Sequence, residues 1–176
     1  MRTRLPDSRS ILQVYAVIAA MFAGWTVLAF LWKLSAWLLL LTLGEIFNLF
    51  SYAMTANFLE SLVVMLLLLA AGALLPARIL RDDFAVRGTI LAVGMIAALM
   101  AFLGSHMQFG MAAGLGLLIA PIVILLVMAI LLASSARLRS VRSAALWLSD
   151  RMLVFLFILL PLFTTLSVYV LFRNFA

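Results

Sequence analysis

Five long apolar stretches, separated by short polar ones, dominate the hydrophobic pattern of the chain. A helix needs about 20 predominantly apolar residues to cross roughly 30 Å of hydrocarbon, and each stretch approaches or exceeds that length. The predicted spans are residues 11–32, 58–75, 89–105, 111–133 and 152–172. The pattern therefore predicts an all-α, polytopic membrane protein with five transmembrane helices in a single domain, residues 1–176.

Residues 34–57, between the first two spans, are apolar but carry a periodic set of polar side chains. These recur every three or four residues and so share one helix face: Thr42, Glu45, Asn48, Tyr52 and Thr55. The period predicts one amphipathic helix that is interfacial or re-entrant at the outer side of the membrane. A sixth span with its polar face turned toward the bundle is the alternative.

The basic residues predict the orientation of the helices, because cytoplasmic loops carry the excess of Lys and Arg. With five spans and a cytoplasmic N-terminus, all of the 12 Lys and Arg except Lys33 and Arg173 lie on the inner side. Six spans divide them less asymmetrically. We expect the N-terminus inside, the C-terminus outside, and a location in a bacterial cytoplasmic membrane.

Composition agrees with a lipid environment and excludes several functions. The chain is 68% hydrophobic and only 10% charged, which is too apolar for a soluble monomer. The net charge of +6 is explained by topology, and we expect no nucleic-acid partner. The chain has no cysteine, which excludes disulfides, thiolate metal sites and cysteine nucleophiles.

Small residues four apart predict where helices approach each other closely, since lipid-embedded helices associate at such positions. Three spans carry them, in the pairs Ala20 and Gly24, Gly94 and Ala98, and Gly110 and Gly114. We expect the third and fourth spans to pack together, with the first span against them. The phenylalanine-rich fifth span is expected at the periphery, facing lipid or a partner subunit, either another membrane protein or a second copy.

Polar side chains concentrate on the predicted outer side. The candidates for binding a ligand or lipid headgroup are Glu45, Asn48, Tyr52, Glu60, His106 and Gln108. A carboxylate beside a histidine suits headgroup positioning or acid–base chemistry, whereas the simpler interpretation is solvated residues at helix ends. No spacing resembles a metal motif, so we expect no metal and no cofactor. Glu60 is placed near the outer end of its span, which leaves almost no intramembrane charge for an ion path.

The second inner loop is basic and rich in serine. Its arginines could contact anionic lipid headgroups, or they could simply record topology: Arg137, Arg139 and Arg142. In the first inner loop, Asp82 and Asp83 are expected to neutralise neighbouring arginines.

The predicted layout resembles the membrane part of bacterial phosphoglycerol or phosphoethanolamine transferases of the sulfatase type. In that group a catalytic domain follows the fifth span, whereas this chain continues for only four residues, so no catalytic residue is carried over. The leading hypothesis is a non-catalytic accessory or scaffold subunit that docks partner proteins or lipids. The alternatives are a transporter, channel or lipid-translocating protein, and the membrane domain of a lipid-linked transferase that lacks its catalytic domain.

Overall fold

The computed structural model describes residues 6–74, 80, 83–109, 116–135 and 138–175, with 105–109 and 116–118 as backbone alone. All regular structure in these ranges is helical. The helices are α1 (Ser8–Leu40), α2 (Leu43–Leu74), α3 (Phe84–Phe109), α4 (Gly116–Ser134) and α5 (Arg139–Phe175). By length and composition, α1, α2, α3 and α5 are able to cross a membrane, and the apolar α4 is shorter. The architecture is that of a multi-pass integral membrane protein.

Helix α1 is the central helix of the bundle. It packs against α2, α3 and α5, whereas α4 packs chiefly on α3. Every residue from Gln13 to Ala19 is buried, and seven consecutive residues occupy the whole circumference of a helix. Further along α1 the burial ends, and Leu28, Leu31 and Trp32 are exposed. The neighbours of α1 therefore enclose it over one half of its length and leave it accessible over the other.

Residues 34–57 do not form a separate amphipathic helix. Residues 34–40 continue α1, and the remainder opens α2 after a break at Leu41 and Thr42. A capping box makes this break: the Thr42 amide donates to Glu45 Oε2 at 2.8 Å, and the Glu45 amide donates to Thr42 Oγ1 at 3.4 Å. The prediction of an independent interfacial helix was wrong because the polar stripe belongs to the first half of a much longer helix.

Helix α5 is peripheral on one face only: Phe155, Phe157 and Phe172 are exposed, as predicted for a helix that faces lipid or a partner. It packs against α1, α2 and α3, and its Phe163 is fully buried. The Phe163 ring stacks on Phe58 of α2 with ring centroids 5.5 Å apart. A bulky side chain can fill a bundle core when a facing helix offers a matching ring. Of the five helices, α4 is the one with the fewest neighbours.

The predicted small-residue positions differ in what they contact. Gly94 faces α4 so closely that a Cβ added there would lie 2.8 Å from Met128 Cβ. Ala98 is buried on α3, and Ala20 is half-buried on α1. Gly24 faces open space, with no atom within 4 Å of an added Cβ. The other predicted pair, Gly110 and Gly114, lies outside the described residues.

In the described part of the chain, charged residues are confined to the two ends of the bundle, with one exception. The arginine end contains Arg9, Arg139, Arg142 and Arg151; the opposite end, at Leu41 and Thr42, is the turn end. The helical rise places Gln13 and Lys33 about 30 Å apart along α1, and Arg151 and Arg173 about 33 Å apart along α5. These separations match the thickness of a bilayer's hydrocarbon core. Within this layer, the one charged side chain that the structure describes is Glu60.

Candidate functional site

Glu45 has a structural role at the turn end. Its carboxylate accepts hydrogen bonds from the Thr42 backbone amide and from the Thr42 hydroxyl, both at 2.8 Å. These hydrogen bonds, the backbone one first, lower the pKa of Glu45 below its usual value. The carboxylate is therefore engaged in starting α2.

Asn48 and Tyr52 join α2 to α5 at the turn end. The Tyr169 hydroxyl donates to Asn48 Oδ1 at 2.6 Å, and the Tyr52 hydroxyl donates to Asn174 Oδ1 at 2.6 Å. Arg173 Nη1 reaches the Tyr169 hydroxyl at 3.5 Å. The two Tyr–Asn pairs are reciprocal, since each helix supplies one tyrosine and one asparagine. Sequence reasoning identified the α2 members but missed Asn174, because only the packing of α2 on α5 brings the partners together.

Glu60 does not join Glu45 in a cluster. Both lie on α2, where the helical rise separates them by about 22 Å. Glu60 was predicted near the outer end of a span, but α2 begins at Leu43, so Glu60 lies in the middle of the helix. His106 and Gln108 lie on α3, and their side chains are outside the described part of the structure. The two carboxylates assigned to the outer side by the sequence are therefore far apart and do not form one site.

A lateral groove runs along the accessible half of α1, because α2 and α3 flank α1 there without packing closely against each other. The groove consists of two adjoining cavities that share Trp25 and Thr26. The tryptophan cavity, about 420 Å³, lies toward the turn end and is lined by Trp25, Trp32, Trp37 and Lys33 among others. The carboxylate cavity, about 550 Å³, lies deeper, where Thr26, Asn57 and Glu60 meet apolar residues of α3.

The polar atoms of the carboxylate cavity come from two helices. Asn57 is 7% exposed, and its Nδ2 donates to Thr26 Oγ1 at 2.6 Å and to the Phe22 carbonyl at 3.4 Å. The Asn57 amide protons are thus directed at α1. Glu60 lies one turn further along α2, on a neighbouring position of the same face. Within the described part of the chain, its carboxylate has no hydrogen bond or ion pair.

A further cavity, about 310 Å³, lies between α3, α4 and α5 around Gly94 and Met128. Its lining is apolar apart from Thr89, whose hydroxyl donates to the Ala85 carbonyl at 2.6 Å. With its one hydroxyl engaged in this way, the cavity offers no chemistry comparable to that of the lateral groove.

The arginines proposed to contact lipid have different surroundings. Arg142 Nη2 pairs with Asp83 Oδ1 at 2.9 Å, which joins the start of α3 to the start of α5. Arg139 is exposed, and Arg137 is outside the described residues. Asp83 thus pairs with an arginine at the start of α5, whereas Asp82 and two arginines of its own loop, Arg78 and Arg81, lie outside the described residues.

The described residues contain no group of three or more His, Cys, Asp or Glu side chains that could hold a metal ion. The sequence matches no protein-family model, and comparison with curated proteins and with solved structures gives no match. Inferences about function therefore depend on the geometry of the lateral groove.

Proposed function

We propose that the chain is an integral membrane accessory subunit that docks an anionic lipid in the lateral groove and is non-catalytic by itself. The observation that carries the proposal is the position of Lys33 on the tryptophan cavity, at the turn end of the layer that separates the two charged ends of the bundle. A lysine at this depth is level with lipid phosphates, and tryptophans favour the same interfacial zone. The apolar lining of the tryptophan cavity beside Lys33, with Leu28, Ala29 and Phe30, suits the first part of an acyl chain.

The proposal places five helices across a bacterial cytoplasmic membrane, with the N-terminus inside and the C-terminus outside. The concentration of arginines at one end supports this orientation, because cytoplasmic loops hold the excess of basic residues. The turn end then lies outside, and the docked lipid comes from the outer leaflet. The 19 residues of α4 extend about 28 Å, which supports counting it as a span.

Bromine quenching of tryptophan fluorescence tests the docking of a lipid. Three of the four tryptophans line the tryptophan cavity, and Trp147 lies near the arginine end. The purified Trp147→Phe variant is placed in phosphatidylcholine nanodiscs. A small fraction of the lipid carries bromine on its acyl chains, and this brominated lipid is phosphatidylglycerol in one sample and phosphatidylcholine in the other. One basic residue contributes about 1 kcal/mol to anionic-lipid binding, so phosphatidylglycerol should be enriched about fivefold at the groove.

Two variants test whether Lys33 causes the enrichment of phosphatidylglycerol at the groove. Lys33→Gln should reduce quenching by brominated phosphatidylglycerol to the level of phosphatidylcholine, whereas Arg173→Gln, which removes the other cation at the turn end, should not. Equal quenching by the two lipids in the parent chain, or an unchanged preference in Lys33→Gln, would contradict the proposal.

The accessory role is tested separately by native mass spectrometry of the chain isolated from its host in a mild detergent. Stoichiometric co-purification of other membrane subunits supports it. A monomer or homo-oligomer that carries only lipid would refute the accessory role while keeping lipid docking.

A transporter is the second candidate, and the position of Glu60 favours it. An ionisable residue within the hydrocarbon layer commonly marks an ion or substrate pathway. Substrate-dependent flux into liposomes that contain the purified chain alone, lost in Glu60→Gln, would support transport. A docking subunit gives no flux in this assay.

A further inference from the structure

We infer that Thr26, Asn57 and Glu60 form a binding site for a monovalent cation within the hydrocarbon layer. This inference is independent of the lipid proposed for the tryptophan cavity, since it concerns the deeper cavity and needs no lipid headgroup.

The depth of the site follows from the contacts of Asn57 with α1. Asn57 is hydrogen-bonded to Thr26 and Phe22, which lie between Gln13 and Lys33 and so between the two polar ends of α1. Glu60 is one turn from Asn57 toward the arginine end. It therefore lies more than 10 Å, by the helical rise, from the level of either Gln13 or Lys33. A carboxylate at this depth is costly unless a counter-charge is present.

The donor atoms suit a hard cation. Glu60 contributes carboxylate oxygens and Thr26 a hydroxyl oxygen to the lining of the same cavity. The Asn57 Nδ2 group donates its hydrogen bonds to α1, so the side-chain carbonyl oxygen Oδ1 remains to act as a ligand. Carboxylate, amide and hydroxyl oxygens are the ligands that alkali and alkaline-earth ions prefer.

The charge balance selects a monovalent ion. The cavity has a single carboxylate and otherwise neutral ligands, so one monovalent cation makes the site electrically neutral. A divalent ion would leave an uncompensated positive charge in a medium of low dielectric constant, which is strongly unfavourable. The size of the cavity, about 550 Å³, leaves room for water to complete the coordination shell.

Binding of ²²Na⁺ to the purified full-length chain, measured by scintillation proximity, tests the site. The measurement is made in phosphatidylcholine nanodiscs, so that anionic lipid is absent and failure of lipid docking does not affect the result. We expect saturable binding of one ion per chain. Glu60→Gln should weaken it by about 100-fold or more, and Thr26→Val, which keeps the side-chain shape, by about tenfold.

Glu45→Gln is the matched control, because it makes the same substitution on the same helix outside the groove, and it should bind Na⁺ like the parent chain. Circular dichroism and gel filtration establish that each variant is folded. Absence of saturable binding in the parent chain would overturn the inference, and so would parental affinity in a folded Glu60→Gln or Thr26→Val chain.

Discussion

Replacing Gly94 by alanine tests how closely α3 and α4 are packed. The added Cβ would lie 2.8 Å from Met128 Cβ, an atom that no side-chain rotation can move away. Restoring an ordinary contact of about 3.5–4.0 Å requires α4 to move outward by roughly 0.7–1.2 Å. Such overpacking costs about 1–3 kcal/mol, because the other contacts between α3 and α4 loosen together.

Gly24→Ala is the control, because a Cβ at Gly24 meets no atom within 4 Å. Both substitutions gain the same helix propensity, about 1 kcal/mol, so their difference isolates the steric cost. Reversible unfolding by SDS in mixed micelles, followed by circular dichroism, should show Gly94→Ala to be less stable than Gly24→Ala by about 1–3 kcal/mol. In a Met128→Gly background the difference should vanish. Equal stability of the two alanine variants in the parent background would refute the packing argument.

Two further predictions concern the turn end. The lowered pKa of Glu45 means that its hydrogen bonds to Thr42 contribute fully above the ordinary pKa near 4.5 and are lost as the pH falls through the lowered value. The rate of amide hydrogen exchange in the first turn of α2 is divided by the rate in the Glu45→Gln chain at the same pH. This ratio should therefore rise in acid, and a constant ratio would argue against a capping role for the Glu45 carboxylate. Tyr52→Phe and Tyr169→Phe each remove one hydrogen bond between α2 and α5, worth about 0.5–1.5 kcal/mol. Each should accelerate amide exchange in the last turns of α5, while Tyr15→Phe, whose hydroxyl contacts Ser61 far from this end, should leave those turns unchanged.

The hydrophobic pattern was sufficient to predict a bundle of long apolar helices, because a stretch of about 20 apolar residues has few alternatives to a membrane-embedded helix. The pairing of α3 with α4 was also predicted, from small residues such as Gly94. The helix ends were less predictable. Lys33 was taken as the end of a span, but a long lysine side chain can extend along a helix that continues past it. The signal for the true break was the Thr42–Glu45 capping box.

The candidate site was predicted only in part for the same reason. Helix α2 begins well before the predicted span, so Glu60 lies in the middle of a helix and not at the edge of a span. It is therefore a carboxylate within the hydrocarbon layer, where the sequence had indicated one near the membrane surface. The contact between Thr26 and Asn57 depends on the register of α1 against α2. Helix periodicity carries no information about that register between helices.

The hydrogen bond between Gln13 and Asp150 has a consequence for the biosynthesis of the chain. The two residues are 137 positions apart, and ribosomes add about 5–20 residues per second. The Gln13 amide is therefore synthesised roughly 7–27 s before its acceptor, and α1 must enter the membrane before α5 exists to surround it. The most buried half of the bundle is thus completed last, when the final helix arrives, and an interruption of translation before Asp150 would leave α1 without the neighbour that encloses it.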